Sequence, residues 1–247
     1  MLNYQPKTKY LANKTLLVTG AGEGIGKQAA LEYAHYGANV ILLGKTLSKL
    51  EKVYDEIVEA GGAKPAIVPL DLLGATAQHY HDMNNTIADE FGCLDGVLHN
   101  ASILGHLGPF SQISAQDWQE VLQVNLNSQF LMTQALLPVL QKAQQGSVIF
   151  TTSSVGLKGR AYWGPYSISK FATQGMMQVL ADEFENTQLR FNCINPGATK
   201  TAMRAKAFPA ETTSQLKSPK QIMALYLYLM DGAVSTETGQ TLHAQPD

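Results

Sequence analysis

The amino-acid sequence predicts an α/β protein: a doubly wound, seven-stranded parallel sheet with helices on both faces, in a single domain over residues 1–247. Three observations carry this expectation. Short apolar runs alternate with longer helix-like stretches along the whole chain. The runs are continuously apolar, as expected of strands buried on both faces of a parallel sheet. No repeat, low-complexity tract or compositional break divides the 247 residues, and one domain accommodates that length.

Taken in order, an N-terminal extension (1–12) precedes a first strand at 15–19 (TLLVT) and a glycine loop. Residues 27–36 place Ala30, Tyr33 and Ala34 at helical spacing, and 39–43 (NVILL) form the second strand. An amphipathic helix follows over 48–59, with Leu50, Val53, Ile57 and Val58 on one side. The third strand is expected at 66–70, a polar helix runs to Phe91, and 94–99 (LDGVLH) is the fourth strand. One long helix is expected within 117–140, with Pro138 near its end. Then come a strand at 147–151 (SVIFT), a helix at 166–183, a strand at 189–194, an apolar helix at 220–230 and a short strand at 240–243. Right-handed crossovers make this a doubly wound sheet, whose ligands sit outside the carboxyl ends of the strands.

Composition narrows the function. Apolar types make up 45% and charged types 15%, against roughly 25% charged in an average globular chain. The chain is therefore a folded protein, long enough to bury a core without a metal or disulfide staple. The net charge is −2, from 18 basic and 20 acidic residues without a basic tract, so neither nucleic acid nor an anionic membrane is an expected partner. Cys93 and Cys193 each lie one residue from an apolar stretch and read as buried free thiols. Residues 1–14 lack the apolar centre of a signal peptide, and no apolar run approaches the ~20 residues of a membrane span. A cytoplasmic protein is expected. His79 and His81 have no third ligand at suitable spacing, so they read as surface histidines and no metal is expected.

The first strand leads into Thr19-Gly20-Ala21-Gly22-Glu23-Gly24-Ile25-Gly26, with Gly20, Gly24 and Gly26 spaced GxxxGxG. Glycine lets a backbone approach a pyrophosphate closely, and the following helix offers free N–H groups and a positive dipole end. After the second strand comes Gly44-Lys45-Thr46, without the acid that would bind a ribose hydroxyl. Lys45 and the Thr46 hydroxyl suit a 2′-phosphate, which favours NADP over NAD; Glu23 argues the other way. Asp71, in Leu70-Asp71-Leu72 after the third strand, could accept from an adenine amino group, cap a helix, or do both. Asn100-Ala101-Ser102 ends the fourth strand in small residues that admit a dinucleotide backbone.

Tyr166 and Lys170 stand four apart in YSISK and share a helix face. Ser153 lies thirteen residues before Tyr166, at the end of the SVIFT run, with Ser154 as its rival. An adjacent ammonium and an oxidised nicotinamide both favour a phenolate, so Tyr166 could exchange a proton with a substrate oxygen while hydride moves. Lys170 would lower the Tyr166 pKa and bind the nicotinamide ribose, and Ser153 would orient the carbonyl. Asn125 could hold a water that links Lys170 to solvent, satisfy a buried backbone group, or do both. The turn Asn195-Pro196-Gly197-Ala198-Thr199-Lys200-Thr201 lies at the same sheet edge, where Thr199 and Thr201 could hold the nicotinamide carboxamide. Residues 202–218, the bulk of a substrate loop expected over 200–218, include Met203 and Phe208 and hint at an apolar or medium-sized substrate. Trp163, Tyr162 and His106 are candidate pocket residues. His99 reads as core.

With these motifs in view, residues 13–243 resemble the compact single-domain branch of the short-chain dehydrogenase/reductase family. The resemblance rests on TGAGEGIG, Leu70-Asp71-Leu72, HNAS, Asn125, Ser153, YSISK and NPGATKT in order and spacing. It implies a Rossmann fold, NAD(P)-linked interconversion of alcohols and carbonyl compounds, and a homodimer or homotetramer joined through the helices that carry Asn125 and Tyr166. The family usually has Asn-Asn-Ala-Gly where this chain has His99-Asn100-Ala101-Ser102, and Ser is common at the place of Gly22 in NADP-linked members. The family's C-terminal Asp-Gly-Gly pattern is replaced by Thr241-Leu242-His243-Ala244-Gln245-Pro246. A nucleotide-sensing or structural protein without turnover is the alternative function. The Asn125, Ser153, Tyr166 and Lys170 set argues against it, because a pure binder needs no proton donor.

Overall fold

The strands are β1 (Thr15–Thr19), β2 (Asn39–Gly44), β3 (Ala66–Pro69), β4 (Gly96–His99), β5 (Gly146–Thr151), β6 (Leu189–Asn195) and β7 (Thr241–His243). They form one parallel sheet in the order β3-β2-β1-β4-β5-β6-β7. The helices are α1 (Gly24–His35), α2 (Leu47–Glu59), α3 (Ala77–Phe91), α4 (Ala115–Leu122), α5 (Ser128–Leu140), α6 (Gly164–Glu183), α7 (Ala202–Ala207) and α8 (Met223–Met230). This computed structural model describes residues 1–245. Pro246 and Asp247, part of the domain and C-terminal motif read from the sequence, lie outside the described residues.

Strand alternation builds two core layers. Leu16 and Val18 of β1 pack with α1, α2 and α8, while Leu17 packs into the layer of α3, α5 and α6. Strand order reverses at β1, with β2 on one side and β4 on the other, paired Thr19↔Leu43 and Val18↔Leu98. This reversal leaves a crevice at the strand carboxyl ends. The N-terminal extension is pinned to the α8 side: the Tyr4 hydroxyl donates to Asp231, and the Tyr10 hydroxyl to the Leu227 carbonyl at 2.8 Å. Among the described residues, no helix is long and apolar enough to cross a membrane.

Several local expectations need correction. The single helix expected within 117–140 is α4 and α5 joined by a π-helical turn, Gln123–Asn127, and Pro138 lies inside α5. Around this turn the buried positions include the polar Asn125, Ser128 and Gln129, so apolar periodicity does not delimit it. The helix expected at 220–230 begins as a 3₁₀ turn, Pro219–Ile222, with a Ser218/Gln221 capping box. Cys93 is half-buried, because it lies in the α3–β4 connection beside Asp95 rather than in a strand. Cys193, in β6, is buried as expected. Thr76 caps α3, so the helix-cap alternative for Asp71 fails; its carboxylate accepts the Leu73 N–H at 3.1 Å instead. His79 completes the α3 capping box. His99 stacks on Phe150 and bonds Thr133 at 2.9 Å, and burial lowers its pKa to about 3, leaving a neutral core imidazole.

Candidate active site

A cleft of about 950 Å³ runs along the carboxyl edge of the sheet, at the upper end of the range of about 300–1,000 Å³ for ligand pockets. Its first half is mainly backbone. Gly20, Gly22, Glu23, Gly24 and Ile25 line it from the β1–α1 loop. Gly26 sits just behind, where an added Cβ would stand 2.3 Å from the Gly20 carbonyl oxygen and 2.7 Å from Asn100 Nδ2. Only glycine admits this packing of α1 against the strand ends. The N-cap of α1 is Glu23, whose side chain makes no capping bond, and no acid lies in the first turn. Its leading N–H groups therefore have no side-chain acceptor, and Gly24 and Ile25 of that turn line the cleft. Thr19 Oγ1 accepts the N–H groups of Asn100 and Ala101 at 2.9 and 3.0 Å, which ties the β4 exit to the glycine loop.

Gly44, Lys45 and Thr46 line the same end from β2, and Asp71 and Leu72 from the β3 exit. Thr46 occupies the N-cap position of α2 without bonding the helix through its hydroxyl. Sequence reasoning missed Lys49, which also lines the cleft and forms an ion pair with Glu23. It lies in the first turn of α2, four residues after Lys45, which precedes the Thr46 N-cap, so its nearness in sequence to that loop was a usable signal. Glu23 is thereby paired with a neighbouring cation at the exposed rim of the cleft. An added Cβ on Gly22 would lie 2.9 Å from Lys49 Cβ. That contact explains why the serine common at this place in the family is absent here.

The middle of the cleft holds the hydroxyl side chains singled out from the sequence. Tyr166 borders it from α6, buried among Leu104, Val155, Trp163 and Met203. Ser153 and Ser154 both line it, just beyond β5. Burial pushes the Tyr166 phenol up to about 12, and a hydrogen bond with Ser153 opposes that rise. Lys170 does not line the cleft. It is 1% exposed, its Nζ lies 5.5 Å from the Tyr166 ring centroid, and it donates to the Thr151 carbonyl at 2.8 Å. Burial lowers its ammonium to about 8, with Cys193 acting weakly the other way.

Asn125 is also behind the wall, in the π turn. Its Oδ1 accepts the Ile103 N–H at 2.8 Å, and its Nδ2 donates to the Ile103 carbonyl at 2.9 Å and to Ser169 Oγ at 3.1 Å. These bonds fill the backbone-satisfying role read from the sequence. It fixes the β4 exit strand against α6, since Ser169 Oγ donates in turn to the Tyr166 carbonyl at 2.7 Å.

The far half is built from side chains on loops. Pro196, Gly197, Thr199 and Thr201 line it after β6, as do Asn100, Ala101 and Ser102 nearer β4. Gln245 Nε2 clamps this turn by donating to the Pro196 and Ala198 carbonyls at 2.8 and 3.0 Å. This long-range contact leaves no local sequence signal. Thr201 Oγ1 accepts the Arg204 N–H and caps α7, which roofs the cleft with Met203, Ala207 and Phe208. Phe208 packs on Trp163 at 5.7 Å, and Trp163 on Tyr166 at 5.9 Å. Arg160, another residue that sequence reasoning missed, lines the same end. Tyr162 is exposed and not among the lining residues; His106 borders a smaller adjoining cavity with Asp117 and Lys206.

Comparison with known proteins agrees with this architecture. The short chain dehydrogenase profile matches residues 14–212. The chain is 53% identical to the uncharacterized oxidoreductase YciK of Escherichia coli K12, over 99% of this chain and 97% of that protein. It superposes on a short chain dehydrogenase from Salmonella enterica serovar Typhi with TM-score 0.96, at 54% identity over 98% of this chain and all of that one. A short chain dehydrogenase from E. coli CFT073, solved in complex with NADPH, gives TM-score 0.95 and 53% identity over 98% of this chain and 100% of that one. The protein belongs to the short-chain dehydrogenase family, and its seven-stranded Rossmann fold is the family's own.

Proposed function

We propose that the protein interconverts alcohols and carbonyl compounds with NADP(H), and that Tyr166 carries the proton. The observation that carries this reading is a buried phenol bordering the same cleft as the glycine loop, beside a buried ammonium. The residues fit the dinucleotide: Gly26 and Gly20 leave room for its pyrophosphate, and Lys45, Thr46 and Lys49 gather at the end where a 2′-phosphate would lie. Asp71, at the β3 exit, would meet the adenine, Ser102 and Ile25 would lie beside the cofactor, and Thr199 and Thr201 would hold the carboxamide. A neighbour solved with NADPH supports the same choice.

Bound there, NADP(H) supplies or accepts the hydride. In the reduction direction Tyr166 gives its proton to the carbonyl oxygen and becomes a phenolate, which the Lys170 ammonium stabilises. The raised pKa keeps the proton on Tyr166 at neutral pH, as a donor requires. Oxidation needs the phenolate, and there the Lys170 charge and a cationic ring work against burial. Ser153 orients the carbonyl, and Asn125 acts through Ile103 and Ser169 as a positioning residue. Residues 200–218 close over the substrate. The exposed Phe130, Phe171 and Val179 of α5 and α6 offer an apolar face for a homodimer or homotetramer in the cytoplasm.

A carbonyl and alcohol panel assayed with NADPH/NADP and NADH/NAD tests the reading through reduced-nicotinamide absorbance. Turnover is expected with NADPH in preference to NADH. Lys45→Ala should weaken NADPH about tenfold and leave NADH within about twofold. Equal loss for both cofactors would defeat the 2′-phosphate assignment.

A further inference from the structure

Resting on the oxidoreductase reading above, we propose that the substrate carries an anionic group, carboxylate or phosphate, bound by Arg160 at the far end of the cleft while its apolar part lies against Trp163, Met203 and Phe208. The charge distribution is uneven. Of the chain's 18 basic and 20 acidic residues, seven and one fall in segments 154–164 and 197–221, and of these seven Arg160 and Arg204 line the cleft. The single acid, Glu211, is already used: its carboxylate holds the Arg204 guanidinium through both oxygens, and Arg204 lies 3.7 Å over the Phe208 ring. Arg204 is therefore a strut that holds the aromatic wall in place.

Arg160 differs. It lines the cleft, and among the described residues it makes no ion pair. Its carbonyl accepts the Trp163 N–H at 3.3 Å, so the guanidinium and the indole spring from one tight turn at the start of α6. The other lining acids are Glu23 and Asp71, both at the dinucleotide end, and Glu120. Glu120 approaches from α4, where it accepts from Gln116 at 2.8 Å. An unpaired guanidinium in the lining of a cleft that also holds Trp163, Met203 and Phe208 recognises a planar or tetrahedral anion.

The test compares a keto acid, 4-oxo-4-phenylbutanoate, with its methyl ester in the NADPH complex. A phosphate-monoester ketone tells the two anions apart. Turnover is followed by absorbance and binding by nicotinamide fluorescence, so a ligand that binds without reacting is still counted. An anion is expected to bind at least about tenfold tighter than the ester, with a preference that shrinks as salt rises from about 0.05 to 0.5 M. Arg160→Gln should bring the ratio toward one; Lys64→Gln, which removes a charge on the α2–β3 connection, should keep it. Equal binding of anion and ester, binding of neither, or a ratio unmoved by Arg160→Gln would overturn the proposal. Preferential binding without any turnover would support it and count against the oxidoreductase reading alone.

Discussion

The two ends of the cleft are made of different material. The dinucleotide end is mostly backbone: a glycine loop, an uncapped helix start and strand ends tied by the Thr19 hydroxyl. The far end is side chains on loops: Trp163 against Phe208, Phe208 under Arg204, and a turn clamped by Gln245. A backbone site tolerates almost no added atom, because its shape is the fold's shape. A side-chain site can be rebuilt without disturbing the sheet. Within one family, the first half is therefore suited to a shared cofactor and the second to changing substrates.

The largest effect should come from adding one methyl group at the backbone end. Gly26→Ala places a Cβ 2.3 Å from the Gly20 oxygen. NADPH affinity, measured by fluorescence titration, should fall by at least about 100-fold. An affinity unchanged by Gly26→Ala would show that the glycine loop yields easily and would erase the contrast between the two ends. At the far end the effect should be smaller and selective. Phe208→Ala should raise the KM for carbonyl substrates by about three- to tenfold, with NADPH affinity within about twofold. Equal losses for substrate and cofactor would mean that the two ends are one coupled unit.

The smallest expected effect concerns Lys170, which stands between the two. Burial lowers its ammonium from 10.5 to about 8. Between those values the unfolded chain holds a proton that the folded chain has released, so this residue's contribution to stability rises with pH. The difference in Tm between Lys170→Met and the wild type should move by a few degrees in favour of the wild type from about pH 7.5 to 10. A flat difference would mean that the folded ammonium keeps its ordinary pKa.

Local chemistry decided what could be read in the sequence. The strand runs, the glycine loop and YSISK each carry their signal within a few residues, and the sheet and the middle of the cleft follow from them. The backbone-satisfying role of Asn125 was legible, but the π turn that carries it was not, because the positions it and the start of α5 bury include the polar Asn125, Ser128 and Gln129. Arg160 and Gln245 act only once distant segments have folded together, and single-sequence periodicity does not report such contacts. Lys49 was within reach, four residues beyond Lys45. Cys93 was misjudged because proximity to an apolar run is weaker evidence than membership of one.

The central claim is that the Tyr166 phenol, held beside Lys170, transfers the proton that accompanies hydride movement. Cofactor affinity and single-turnover carbonyl reduction measured together on Tyr166→Phe test it most directly. NADPH binding should stay within about twofold while the reduction rate falls by at least about 10³-fold, in the range expected for loss of a general acid. Undiminished reduction by a variant that still binds NADPH would contradict the account.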